Sequence, residues 1–162
     1  MKYILSFFCF AFILQLPLHA QSKKKAEKGF VQQLNTLIKK SSRQSSGYNG
    51  IMTIDSAFAI NKQGMLSVTV RYRSDTSFIR VRTTAPVNKI NTLRYDLYMI
   101  LEYKDNLVTF YESAPGSNVL VETGKGGWFH VGAPMPENYM YKEKLQAALD
   151  KVLIVTGIKN ER

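Results

Sequence analysis

The chain has 162 residues, with 22 Lys and Arg against 12 Asp and Glu, a formal charge of +10 and a pI of about 9.7. It has one cysteine, Cys9, and two histidines, His19 and His130, so beyond residue 20 it excludes disulfides, a thiol nucleophile, Cys-ligated zinc and any site needing two histidines. The basic excess favours anionic partners: lipid headgroups, acidic glycans or an acidic protein.

Residues 1–20 read as a secretory signal peptide. Lys2 is the positive start, Ile4–Leu16 is apolar apart from Ser6 and Gln15, and Leu18-His19-Ala20 ends in the small residue that precedes a cut. The apolar run is shorter than the ~20 residues that span a bilayer. Cys9 lies inside that run without the small neighbours of a lipidation site. Cleavage leaves 21–162 as a single domain carrying +9, since residues 1–20 contribute only Lys2 to the charge. The expected location is the periplasm or the extracellular space, soluble after cleavage, and export argues against nucleic acid as a partner.

Residues 22–42 predict a helix, with Ala26, Phe30, Leu34 and Leu37/Ile38 on one stripe. Lys23, Lys24, Lys25 and Lys28 load its start, a solvated face that also offers a peripheral contact with anionic lipid. Ser45–Gly50 reads as a linker loop.

Ile51–Ile60 predicts a strand that turns through Lys62-Gln63-Gly64, with Gly64 left-handed. The matching register sets Ile60 against Leu66, Phe58 against Val68, Asp55 against Arg71 and Thr53 against Arg73. The next hairpin, Val68–Arg82, is the most unusual stretch. Val68, Val70, Tyr72, Ile79 and Val81 share one face; Thr69, Arg71, Arg73, Phe78, Arg80 and Arg82 share the other. Arg71 stands opposite Arg80, a like-charge pair that needs an offset. Tyr95–Lys104 reads as one strand beside Phe78–Thr84, with Asp96 and Glu102 brought to the arginines. A turn at Lys104–Leu107 then sets Leu101 against Phe110 and Ile100 against Tyr111. That reading places an apolar patch of Tyr98, Ile100, Leu107 and Tyr111 beside the cations. Val119–Thr123 and Trp128–Val131 read as a last hairpin. Residues from Pro136 or Asn138 to Thr156 predict a second helix, with Gly157 as its C-terminal cap.

Helix, short hairpin-linked strands and helix define an α+β class. The expectation is an antiparallel sheet of five to seven strands packed on one N-terminal and one C-terminal helix, in two layers. The functional expectation is an exported, non-enzymatic binding module for an amphipathic or anionic ligand. Arg71, Arg73, Arg80 and Arg82 are its candidate charge, and Tyr98 and Tyr111 its candidate apolar part. A structural or protein-interaction component of the cell envelope is the alternative. An enzyme is the third reading, and it needs His130 or the carboxylates to converge in a pocket. Nothing in the sequence points to a cofactor or a metal.

Overall fold

The computed structural model describes residues 3–44 and 51–157, with side chains for 21–42 and 51–157. The elements run α1 (Tyr3–Gln44), β1 (Ile51–Ile60), β2 (Met65–Arg73), β3 (Phe78–Pro86), a short 3₁₀ turn (Val87–Lys89), β4 (Thr92–Asp96), β5 (Tyr98–Glu102), β6 (Val108–Ser113), β7 (Leu120–Gly126), β8 (Trp128–His130) and α2 (Tyr139–Val155). The α+β class with terminal helices on antiparallel strands therefore holds. Among the described residues the strands number eight and part into two sheets, β1-β2-β3-β6-β7 and β4-β5-β8. The loop 45–50 expected as a linker lies outside the described residues.

The predicted N-terminal helix falls inside the longer α1, and its stripe does what its spacing implies. Phe30, Leu34, Leu37 and Ile38 are at most 2% exposed. In α2, Leu145, Leu149, Val152 and Leu153 are fully buried in the same core. Asn138 caps α2 by accepting from the Tyr141 N–H, and Gly157 follows its end at φ +76°. The two helices meet where the Lys40 ammonium hydrogen-bonds the Tyr141 hydroxyl and lies 4.4 Å from that ring's centre.

The β1–β2 turn forms as its glycine requires, with Gly64 at φ +76° and Ile60 opposite Leu66. Beyond it the register departs from the expected one. Irregularities between Ile54 and Ser56 and between Ser56 and Ala59 bring Thr53, rather than Asp55, opposite Arg71, and Ile51 opposite Arg73. Two bulges restore the pleat parity, so Met52 and Phe58 both point inward and are at most 3% exposed. From α1, the Asn35 amide accepts from the Phe58 N–H at 2.8 Å and donates to the Phe58 carbonyl at 3.1 Å, holding β1 at its second irregularity. The β2–β3 register agrees with the expected one, including Arg71 opposite Arg80 and Arg73 opposite Phe78.

The stretch expected as one strand over Tyr95–Lys104 is broken. The chain reverses at Leu97, a non-glycine residue at φ +59°, so Asp96 stands opposite Tyr98 in the β4–β5 pair. No glycine or proline marks that reversal, which is why alternation alone reads through it. β5 then joins β4 and β8, while β6 joins β3 and β7. The expected pairings of Leu101 with Phe110 and of Ile100 with Tyr111 are therefore replaced by Leu101 with Phe129 and Arg82 with Tyr111. The expected last hairpin is likewise divided: β7 stays in the larger sheet and β8 enters the smaller one. The core lies between the sheets and the helices, where the Phe58 and Phe129 rings meet with centroids 5.8 Å apart.

Candidate functional site

The pleat of β2 and β3 turns Val68, Val70 and Tyr72 toward the core and leaves Thr69, Arg71, Arg73, Phe78, Arg80 and Arg82 on the outer face. β6 adds Tyr111 directly opposite Arg82, and β7 adds Glu122 opposite Tyr111. The expected juxtaposition of arginines with Tyr111 is thus present, though through β6 lying against β3.

Asp55 is the hub of this face. It sits at the first irregularity of β1, which carries its carboxylate over β2 to β3. Arg71 donates from Nε to Oδ1 at 3.0 Å and from Nη2 to Oδ2 at 3.0 Å, and Arg80 donates from Nε to Oδ2 at 2.6 Å. Asn118 completes the clamp: its side-chain oxygen accepts from Arg71 Nη2 at 3.2 Å and its carbonyl from Arg80 Nη1 at 2.7 Å. The Arg71 guanidinium lies 4.2 Å from the centre of the Phe78 ring. The Arg80 N–H is anchored on the Ser113 hydroxyl. The three charged side chains are only 16–20% exposed. Two cations share one carboxylate, so the cluster keeps a net positive charge.

Among the described residues, the carboxylate that offsets the like-charge pair is that of Asp55. Asp96 and Glu102, expected as further counter-ions, lie on the other sheet, where Asp96 faces Arg94 at 3.8 Å. Asn118 was not signalled by the sequence: it follows a turn and becomes a ligand of the arginines only because β6 and β7 fold back against β3.

The Arg71 guanidinium, helped by Arg80, holds the Asp55 carboxyl below its usual range. A depressed folded-state pKa means stability that is present above the unfolded value near 3.8 and is lost as pH falls through the lower folded value. Asp55→Asn should cost about 1 kcal/mol or less at neutral pH, the scale of a partly exposed ion pair. The difference between the two proteins should close on acidification. Urea unfolding at pH 7 and near pH 3 measures both numbers; an equal difference at the two pH values would rule out the clamp as its origin.

Arg82 is held by one bond, from Nε to the buried Thr69 hydroxyl at 3.1 Å. Its terminal nitrogens have no partner among the described residues, and exposed Arg73 at the end of β2 has none at all among them. Tyr98 is not part of this face. It belongs to the smaller sheet, stacked on His130 at 4.6 Å between ring centres. The covered flank of His130 pushes its pKa down, while the residue stays open on its other side. Ile100 is 3% exposed, and on its strand it pairs with Arg94 and His130, so the expected patch of Tyr98, Ile100, Leu107 and Tyr111 is divided between the sheets. Among the described residues, no group of three or more His, Asp or Glu side chains gathers as for a metal ion.

No protein-family model matches this chain, and comparison with curated proteins and with solved structures finds no similar one.

Proposed function

We propose that this chain is an exported, non-enzymatic binding module that holds an anionic ligand with an apolar part on the outer face of its five-stranded sheet. The observation that carries the reading is the pair Arg82 and Tyr111, a guanidinium with unused terminal nitrogens directly opposite an aromatic ring. Beside it the Asp55 clamp holds two further guanidinium groups in fixed orientation. Preoriented arginines lose little conformational freedom when they meet a carboxylate, sulfate or phosphate. Arg73 adds a cation at the end of the face. The exposed Lys23, Lys24, Lys25 and Lys28 on α1 add a separate contact for anionic lipid. Lys2, the apolar run and Ala20 support export to the periplasm or the extracellular space.

Native mass spectrometry of the protein recovered from its own cell envelope tests the reading. A bound mass should accompany the folded chain, and Arg82→Gln should weaken retention by about tenfold, the worth of one charge-assisted hydrogen bond. Thermal unfolding should fall only slightly, because Arg82 is exposed and the substitution removes one hydrogen bond, that to the Thr69 hydroxyl. Equal retention by the variant, or no bound mass on the native protein, sinks the proposal.

A further inference from the structure

The two edges of the five-stranded sheet are built differently. β1 is guarded: α1 packs along it, Asn35 occupies the Phe58 N–H and carbonyl, and two irregularities break its line. Among the described residues β7 has a strand neighbour on one side only, β6, and it contains no proline. Val119, just before it, is 70% exposed, and Val121 near its start is 62% exposed. An open edge with protruding valines is a template for another strand.

The segment Asn118-Val119-Leu120-Val121-Glu122 is complementary to itself in the antiparallel sense. When Leu120 stands opposite Leu120 of a second copy, each Val119 meets the other copy's Val121, and each Asn118 amide meets a Glu122 carboxylate. Pleat parity agrees. Glu122 shares the outer face with Tyr111, and Asn118 touches the arginines there, so the valines lie together on the other face. The only irregularity of the β6–β7 pair falls between Phe110 and Tyr111, opposite Thr123, and so outside this segment.

We propose that β7 pairs antiparallel with β7 of a second copy, making a twofold dimer with a continuous ten-stranded sheet. This goes beyond the ligand reading and does not depend on it. The pairing covers four exposed valines per dimer and satisfies outward backbone groups of both edges other than the Val119 N–H, held by the Ser117 hydroxyl, and the Asn118 carbonyl, held by Arg80. The twofold axis runs perpendicular to the sheet, so both arginine faces lie on the same side. An extended anionic surface would then meet two copies of the site at once.

The test uses the full chain with Cys9→Ser. Sedimentation equilibrium should give twice the single-chain mass, and Val121→Lys should raise the dimer dissociation constant by at least about tenfold while leaving the circular dichroism of the monomer unchanged. Leu120→Cys should form an intermolecular disulfide on mild oxidation, because the two positions face each other across the axis. Thr123→Cys should not, since its two copies are offset by six residues, roughly 20 Å along the strands. A single-chain mass across the whole concentration series overturns the proposal. So does a dimer that Val121→Lys leaves intact, or cross-linking at Thr123→Cys but not at Leu120→Cys.

Discussion

Phe129→Ala is expected to lower the unfolding free energy by about 3–5 kcal/mol, the range for removing a buried aromatic ring. Phe129 is fully buried at the centre of β8, opposite Leu101 of β5, and its ring meets Phe58 of β1. It is thus a side chain through which the smaller sheet touches the guarded edge of the larger one. Truncation removes the transfer free energy of the ring and leaves a cavity that strands on two sheets cannot both close. A typical domain has only about 5–15 kcal/mol in total, so this variant should approach the threshold of folding. Phe129→Leu keeps most of the volume and should lose much less. Urea unfolding of both variants reads the difference; a loss below about 1 kcal/mol for the alanine variant would show that β8 is not packed against the core.

Gly132→Ala is expected to cost about 3 kcal/mol through two separable effects. Gly132 is at φ +85°, where an added Cβ is penalised by about 1–2 kcal/mol. That Cβ would also overlap the Ser41 hydroxyl oxygen and press on the Ile38 Cα at 3.4 Å. Ser41 cannot yield without loss. It is fully buried in α1, it donates to the Ile38 carbonyl, and it accepts from the Ala133 N–H, each at 3.1 Å. Its displacement leaves a buried N–H unpaired, worth about 1–3 kcal/mol. Ser41→Ala alone should cost the hydrogen bond. In Gly132→Ala with Ser41→Ala the overlap disappears, so the double variant should be more stable than the sum of the single effects by at least about 0.5 kcal/mol. Thermal unfolding of the four proteins closes the cycle; strict additivity would mean that the loop after β8 moves away from α1 freely.

What was legible in the sequence follows one physical line. Local signals with a stereochemical cause came through: the stripe Phe30–Ile38, the left-handed Gly64 and Gly157, the Asn138 region as the start of a helix, and the alternation that separates Val68, Val70 and Tyr72 from the arginines. The β2–β3 pairing came through because its turn is short and its faces are chemically unlike. The β1–β2 register failed beyond the turn because bulges leave no mark when Ser56 and Ala57 flank them. The reversal at Leu97 failed because a leucine in the left-handed region is stabilised by its surroundings rather than by its own preference.

The candidate site shows the same division. Arg71, Arg73, Arg80 and Arg82 are readable from alternation within one hairpin, whereas Asp55 meets Arg71 although the expected register, with the two directly opposite, does not form. Asn118 is not readable, and Tyr111 reaches the face by pairing with Arg82 rather than with Ile100. Tyr98 shared the expected face only while Tyr95–Lys104 was a single strand.

By itself the sequence determined the class of the fold, its two helices and their buried stripes, and a β2–β3 hairpin with four arginines on one face. Each of these depends on contacts within a few residues or across one tight turn, where spacing and steric preference leave little choice. Only the tertiary structure decided that the strands divide into two sheets, that Asp55 is spent on Arg71 and Arg80, and that the terminal nitrogens of Arg82, opposite Tyr111, meet no partner among the described residues. Those outcomes depend on which distant strand occupies which edge. That competition is settled by packing of the whole core around Phe58 and Phe129 and by no local preference.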